Sequence, residues 1–120
     1  KYKTDWQWKW PLKGSVVESF DLGKSRKGIR VKNESSKQIN PAAPGNAVYA
    51  GSGLRGYGNL VIIKHSDKVL SAYANNEDIL VEVGQSITQA DPISNLNENQ
   101  VVYFEIRRDG SPVDPLQFLK

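Results

Sequence analysis

The chain has 120 residues, with one histidine and no cysteine, which excludes disulfide scaffolds, cysteine nucleophiles, zinc ribbons and any site needing two imidazoles. At 38% hydrophobic and 24% charged residues it reads as one folded, soluble domain, excised from any upstream module, with no apolar run near the roughly 20 residues of a membrane-spanning helix. Net charge is +3, split as +6 over residues 1–37 and −3 over residues 38–120; no recognition helix or aromatic-basic motif accompanies the basic half, so a nucleic-acid partner is not expected.

Residues 1–9 read as an N-terminal arm and residues 10–120 as the domain. Trp6, Trp8 and Trp10 stand at every second position, so an extended chain places the three indoles on one face. Such a face either stacks on sugar rings or a partner, or packs the arm onto the sheet. Packing is the expectation, because indoles are mostly buried. Residues 15–20 are short and β-branched, bounded by Gly14 and by Asp21-Leu22-Gly23, which predicts a strand. Lys24, Arg26, Lys27, Arg30, Lys32 and Lys37 form the densest basic cluster. It can attract phosphates, anionic cell-wall polymers or an acidic protein face, or simply solvate a loop. Ile29 and Val31 alternate with Arg30 and Lys32 as in a half-buried strand.

A strand is predicted over residues 47–50, ending at Gly51-Ser52-Gly53. Leu60-Val61-Ile62-Ile63 is the most apolar run, and Ser66-Asp67-Lys68 turns it into a partner strand over 69–74. Short strands are expected at 79–83, Ile87 and Pro92-Ile93, and a clear one at 101–107. Only residues 115–119 look helical, for one turn. Frequent short strands separated by turns predict an antiparallel, all-β domain. The lone His65 closes the apolar strand, and a structural role is expected for it. The Gly53–Gly58 stretch leads into a strand with no following helix, unlike a phosphate loop. Glu77-Asp78 and Glu98 show no paired partner for glycoside hydrolysis.

Six segments in order carry a family resemblance: Trp10-Pro11-Leu12-Lys13-Gly14-Ser15-Val16, Val48-Tyr49-Ala50-Gly51, the run from Leu54 to His65, Ser71-Ala72-Tyr73-Ala74, Val83-Gly84-Gln85-Ser86-Ile87, and Tyr103-Phe104-Glu105-Ile106-Arg107 with Val113-Asp114-Pro115 behind it. Together they resemble LytM-type domains, the lysostaphin-like zinc endopeptidases, over residues 10–120. The Arg55-Gly56-Tyr57-Gly58-Asn59 stretch is most similar to NlpD-type lipoproteins, and Tyr103–Arg108 to EnvC. The resemblance implies an antiparallel sheet with short extra strands and a groove. Active members hold one zinc through H-x-x-x-D and the second His of H-x-H, and two further histidines act on the zinc-bound water.

On this sequence the three ligand positions fall on Arg26, Arg30 and Tyr103, and the two remaining ones on Val101 and Asn75. None of the five has kept the imidazole or carboxylate that the chemistry requires, and two permanent cations repel a dication. The implied protein is a pseudoenzyme with no catalytic residue, metal or cofactor. Residues 94–100 replace a longer Gly-rich segment of the family.

Alternation along 101–107 puts Val101, Tyr103, Glu105 and Arg107 on the former catalytic face, and Ser71, Tyr73 and Asn75 are expected beside them. The expected partner-binding groove is lined by Arg30, Tyr57, Tyr73, Tyr103 and Arg107, tyrosine and arginine being enriched in binding hot spots. The bland alternative is a drifted surface of fillers.

Degenerate domains of this type are implied to be non-catalytic activators of periplasmic N-acetylmuramoyl-L-alanine amidases, which split septal peptidoglycan as daughter cells separate. The expected partner is the amidase's regulatory helix, drawn off the amidase active site and laid in the groove. A monomer is expected, placed in the periplasm and tethered to the outer membrane through a segment upstream. The alternative is a passive peptidoglycan-binding module of a cell-envelope lipoprotein, using Trp6, Trp8 and the basic cluster.

Overall fold

The computed structural model describes residues 7–119. Ten strands follow one another: β1 (Gly14–Glu18), β2 (Ile29–Asn33), β3 (Gln38–Ile39), β4 (Gly45–Gly51), β5 (Asn59–Lys64), β6 (Val69–Ile79), β7 (Ser86–Ile87), β8 (Ser94–Leu96), β9 (Val101–Arg108) and β10 (Ser111–Val113). They form one sheet in the order β1-β2-β9-β6-β5-β4-β7, with β10 on β9 and the β3-β8 pair on β6. Every pairing is antiparallel, and the domain is nearly all-β.

The two faces of the sheet differ, and that difference positions the site. Strand side chains alternate, and on β9 Val102, Phe104 and Ile106 are fully buried on one face. They join Ile29 and Val31 of β2, Val61 and Ile63 of β5, and Tyr73 of β6 in the main core. Trp8, Leu12 and Phe118 close that core from the chain ends. The opposite face carries a much smaller apolar cluster of Leu60, Ala72 and Ala74, flanked by Tyr49, Tyr57, Ile62 and Tyr103. A face with small residues at its centre and large ones at its rim is a shallow trough.

Trp8 is 3% exposed, with its ring edge-on to His65 and Phe118 at 4.9 and 5.1 Å between centroids. The packed arrangement therefore holds for Trp8, whereas Trp6 lies outside the described residues. The strand expected over 79–83 is the end of β6 followed by a turn, in which Gly84 N–H donates to Ala47 O at 2.8 Å. Strand β8 lies inside the stretch expected to be groove-wall loop. A 3-10 turn at Leu22–Lys24 was not expected, since three residues are too few for a periodic signature; it closes with Ser25 in the left-handed region (φ 60).

Gly28 shows how tightly β2 meets β9. A Cβ there would stand 2.3 Å from the Phe104 carbonyl oxygen and 2.8 Å from Glu105 Cγ. Gly28→Ala should therefore cost about 1–3 kcal/mol through forced strand separation, read as a lower urea midpoint with unchanged slope. An unchanged midpoint would show that the strands have slack.

Candidate functional site

Directly paired residues of an antiparallel ladder project to the same face. Ala74 pairs with Tyr103, Ala72 with Glu105 and Leu70 with Arg107, so these six residues form the trough floor. Tyr73 pairs instead with Phe104 and Ser71 with Ile106, which turns both into the core. The expectation that Tyr73 lines the groove is corrected: it is 0% exposed. Asn75 does reach the trough, because β6 bulges there. Between the Asn59–Asn76 and Val61–Tyr73 pairs, two residues of β6 oppose Leu60 alone, and Asn75 takes φ 67. One extra residue reverses the alternation. Buried Asn76 holds the bulge, donating to Asn59 O and Tyr73 O and accepting from Ser94 Oγ.

At the centre of the floor sits Glu105, 1% exposed. Arg107 Nε donates to its Oε1 at 2.8 Å, and the hydroxyls of Tyr103 and Tyr57 donate to its Oε2 at 2.6 and 3.0 Å. Three donors converging on one buried carboxylate satisfy it from three directions. Burial, then the hydrogen bond to Glu105 and its charge, push the Tyr103 hydroxyl well above the ordinary phenol range; Tyr57 is raised by burial and then by the charge and hydrogen bond of Glu105. Both phenols thus remain protonated donors. Burial alone would lower Arg107, but the hydrogen bond and charge of Glu105 raise it. Sequence reasoning placed Glu105 on this face without assigning it a role; an acid between Tyr103 and Arg107 at two-residue spacing was the available signal.

Two hollows flank this centre. One, of about 340 Å³, is a basin lined by Arg26, Lys27, Arg30, Arg55, Asn75 and Tyr103, among others. Among the described residues lining it the one acid is Glu18, which lies 3.3 Å from Arg30 Nε and 3.9 Å from Arg26 Nε. The Arg30 guanidinium also rests 5.0 Å from the Tyr103 ring centroid, a cation–π contact. The other hollow, of about 220 Å³, is a slot walled by Leu54, Leu60, Ile62 and Leu70 and lined also by Tyr57, Glu105 and Arg107, among others. Tyr57 borders both hollows, its ring 6.0 Å from that of Tyr103.

The structure thus places Arg26, Arg30, Asn75 and Tyr103 around one basin. Val101 lies farther out, paired with Lys32 at the start of β9. Sequence reasoning missed Arg55, Glu18 and the slot, since loop residues and cross-sheet leucines become neighbours only when β5, β6 and β9 assemble. A larger hollow of about 580 Å³, between Trp10–Gly14 and Ser35–Asn40, shares no lining residue with the trough.

The fold and the trough together define a sheet-groove domain of the LytM type. The model of peptidase family M23 matches residues 24–115, and the chain belongs to that family. It is 43% identical over 117 residues to the lipoprotein NlpD/LppB homolog of Pseudomonas aeruginosa, covering 93% of this chain and 39% of that one. It is 41% identical over 117 residues to the murein hydrolase activator NlpD of Escherichia coli, covering 93% and 31%. The chain therefore spans about a third of the length of these curated relatives. A solved structure of a peptidase M23 from Pseudomonas aeruginosa, described as putative, superposes with a TM-score of 0.83 at 16% identity, covering 99% of this chain and 53% of that one.

The residues present do not fit a zinc ion. Positions 26, 30 and 103, which the family resemblance assigns to metal ligands, hold two guanidiniums engaged with Glu18 and a phenol engaged with Glu105. The described residues contain no group of three or more His, Cys, Asp or Glu able to hold a metal. What the basin can do chemically is attract anions.

Proposed function

We propose that this domain is a non-catalytic activator of peptidoglycan amidases, binding a partner segment in the trough and so shifting the amidase toward its open state. The observation that carries the reading is an ordered tyrosine–arginine surface, held from beneath by Glu105, around the positions that the resemblance assigns to metal ligands. Drifting fillers have no reason to converge on one buried carboxylate. Relatives named murein hydrolase activator support the peptidoglycan connection, and relatives named lipoproteins support placement in the cell envelope, here read as the periplasmic side of the outer membrane.

Activation needs only differential affinity: a domain that binds the open amidase about tenfold better than the closed one shifts the equilibrium by about 1.4 kcal/mol. Purified domain should increase dye release from labelled peptidoglycan by a periplasmic N-acetylmuramoyl-L-alanine amidase. Tyr57→Ala with Tyr103→Ala should reduce that increase about tenfold or more, since each residue supplies contact area of hot-spot type, while leaving Arg107 on Glu105. No increase with wild type, or an undiminished one with a folded double variant, rejects the proposal.

The alternative, a passive peptidoglycan-binding module, loses one of its elements, because buried Trp8 has no face to stack on a sugar. Its basic element persists in the exposed Lys24, Lys32 and Lys37.

A further inference from the structure

The trough is chemically divided, and the division specifies its occupant. We infer that it receives a single amphipathic helix carrying acidic side chains at one end, over Arg26, Arg30 and Arg55, and a branched aliphatic anchor at the other, in the slot of Leu54, Leu60, Ile62 and Leu70. This rests on the activator reading and adds the partner's polarity to it.

The cationic end is open to exchange. Arg26, Arg30 and Glu18 have side chains 38%, 41% and 34% exposed, and half-exposed ion pairs of this kind contribute little net stability. An incoming carboxylate can share the two guanidiniums with Glu18, and Lys27 and Arg55, lining the same basin, keep the local charge positive when it does. The apolar end is equally unfinished. Leu54 stands 43% exposed beside Leu60 and Ile62, the first on the 52–58 loop and the others on β5; burying such leucine surface under a partner is favourable at about 25 cal/mol per Å².

The two ends lie at a fixed separation. Arg30 is paired with Tyr103 and Leu70 with Arg107 on opposite sides of β9, so they are offset by about 13 Å along the strand and about 10 Å across it, about 16 Å in all. A helix covers that distance in about eleven residues, three turns, with acidic and aliphatic positions on one face. The Tyr57–Tyr103 pair between the hollows is the ridge that such a helix crosses. A glycan strand or stem peptide can answer the cations but brings no large aliphatic group to the slot, which favours a protein segment.

The test uses a fluorescently labelled helical peptide of about fourteen residues with two glutamates near one end and two leucines near the other, titrated with the 120-residue domain at about 150 mM salt. Binding is expected, weakened about tenfold or more by Arg30→Glu, by Leu54→Asp, or by changing the peptide's glutamates to lysine. The lysine peptide should regain affinity on Arg30→Glu. Arg55→Glu, on the exposed loop, repeats the test where a change in β2 disturbs the fold. Equal affinity of wild type for the glutamate and lysine peptides overturns the inference, as does no binding of the parent peptide. Displacement of the peptide by insoluble peptidoglycan that Arg30→Glu abolishes and Leu54→Asp leaves intact also overturns it, pointing to a glycan occupant. Amidase stimulation that survives both Arg30→Glu and Leu54→Asp removes the polarity while leaving the activator role. Peptide binding without stimulation does the reverse.

Discussion

Arg107→Ala should lower the stability of this domain by about 2–3 kcal/mol, a large effect for a residue with a side chain 29% exposed. The loss comes from Glu105, which stays buried when its guanidinium is removed and retains only the two phenols. Replacing both members, Glu105→Leu with Arg107→Leu, should cost less than Arg107→Ala alone, because no charge is then left in a dry site. The double variant should nevertheless be the weaker activator of an amidase, since Arg107→Ala leaves both phenols on Glu105. In the double variant Tyr57 and Tyr103 lose their common acceptor, and the ridge between basin and slot is no longer held. Urea midpoints at neutral pH give the first comparison and peptidoglycan release the second. If the double variant is the less stable of the two, the carboxylate is a net structural gain and the account of its role changes.

The second large effect is one of pH. His65 bridges two elements: its Nδ1 lies 2.7 Å from Pro44 O and its Nε2 2.7 Å from Ser71 Oγ. The directions are forced. Ala42 N–H donates to the Tyr73 hydroxyl at 2.8 Å, Pro44 O can only accept, and between them the protons run Tyr73 to Ser71 to His65 Nε2. A second ring proton would reverse the Ser71 hydroxyl and set it against the Tyr73 proton. Burial, with Trp8 packed edge-on, lowers His65 to about 4 from an ordinary 6.5, against the opposing hydrogen bond to Pro44 O.

The unfolded chain therefore takes up a proton near pH 6.5 that the native chain refuses until about pH 4. Stability should fall as pH drops through that window, by up to about 3 kcal/mol. His65→Gln can keep one donor and one acceptor but does not titrate, so its stability should fall more gently over the same interval. Equal slopes for wild type and His65→Gln, measured by urea unfolding from pH 7 to 4.5, would assign the acid sensitivity to carboxylates instead.

Much of this was legible in the residues themselves. Alternation in Val101–Arg107 named the two faces of β9 correctly, and the family resemblance singled out Arg26 and Arg30, four apart across Gly28. Tyr73 was misplaced for a definite reason. Counting back by twos from Asn75 assumes unbroken alternation, and the bulge that inverts it is created by strand pairing: Leu60 can oppose only one residue of β6 in register, and Asn76 finds its partners in β5 and β8. Nothing within β6 alone announces that. The packing of Trp8 followed from its residue type, whereas its neighbours His65 and Phe118, far apart in the chain, did not.

Amino-acid identity alone determined that this chain cannot bring two imidazoles or any thiolate to one site. One histidine and no cysteine are facts of composition that no folding can reverse. Only the tertiary structure decided what surrounds Arg26, Arg30 and Tyr103, because charge and burial are properties of neighbourhoods. Glu105 becomes a pivot only when Tyr57, Tyr103 and Arg107 converge on it from two segments. The cations become a basin only when Arg55 joins those of β2 and the loop before it, and the leucines become a slot only when β5, β6 and the 52–58 loop close around them.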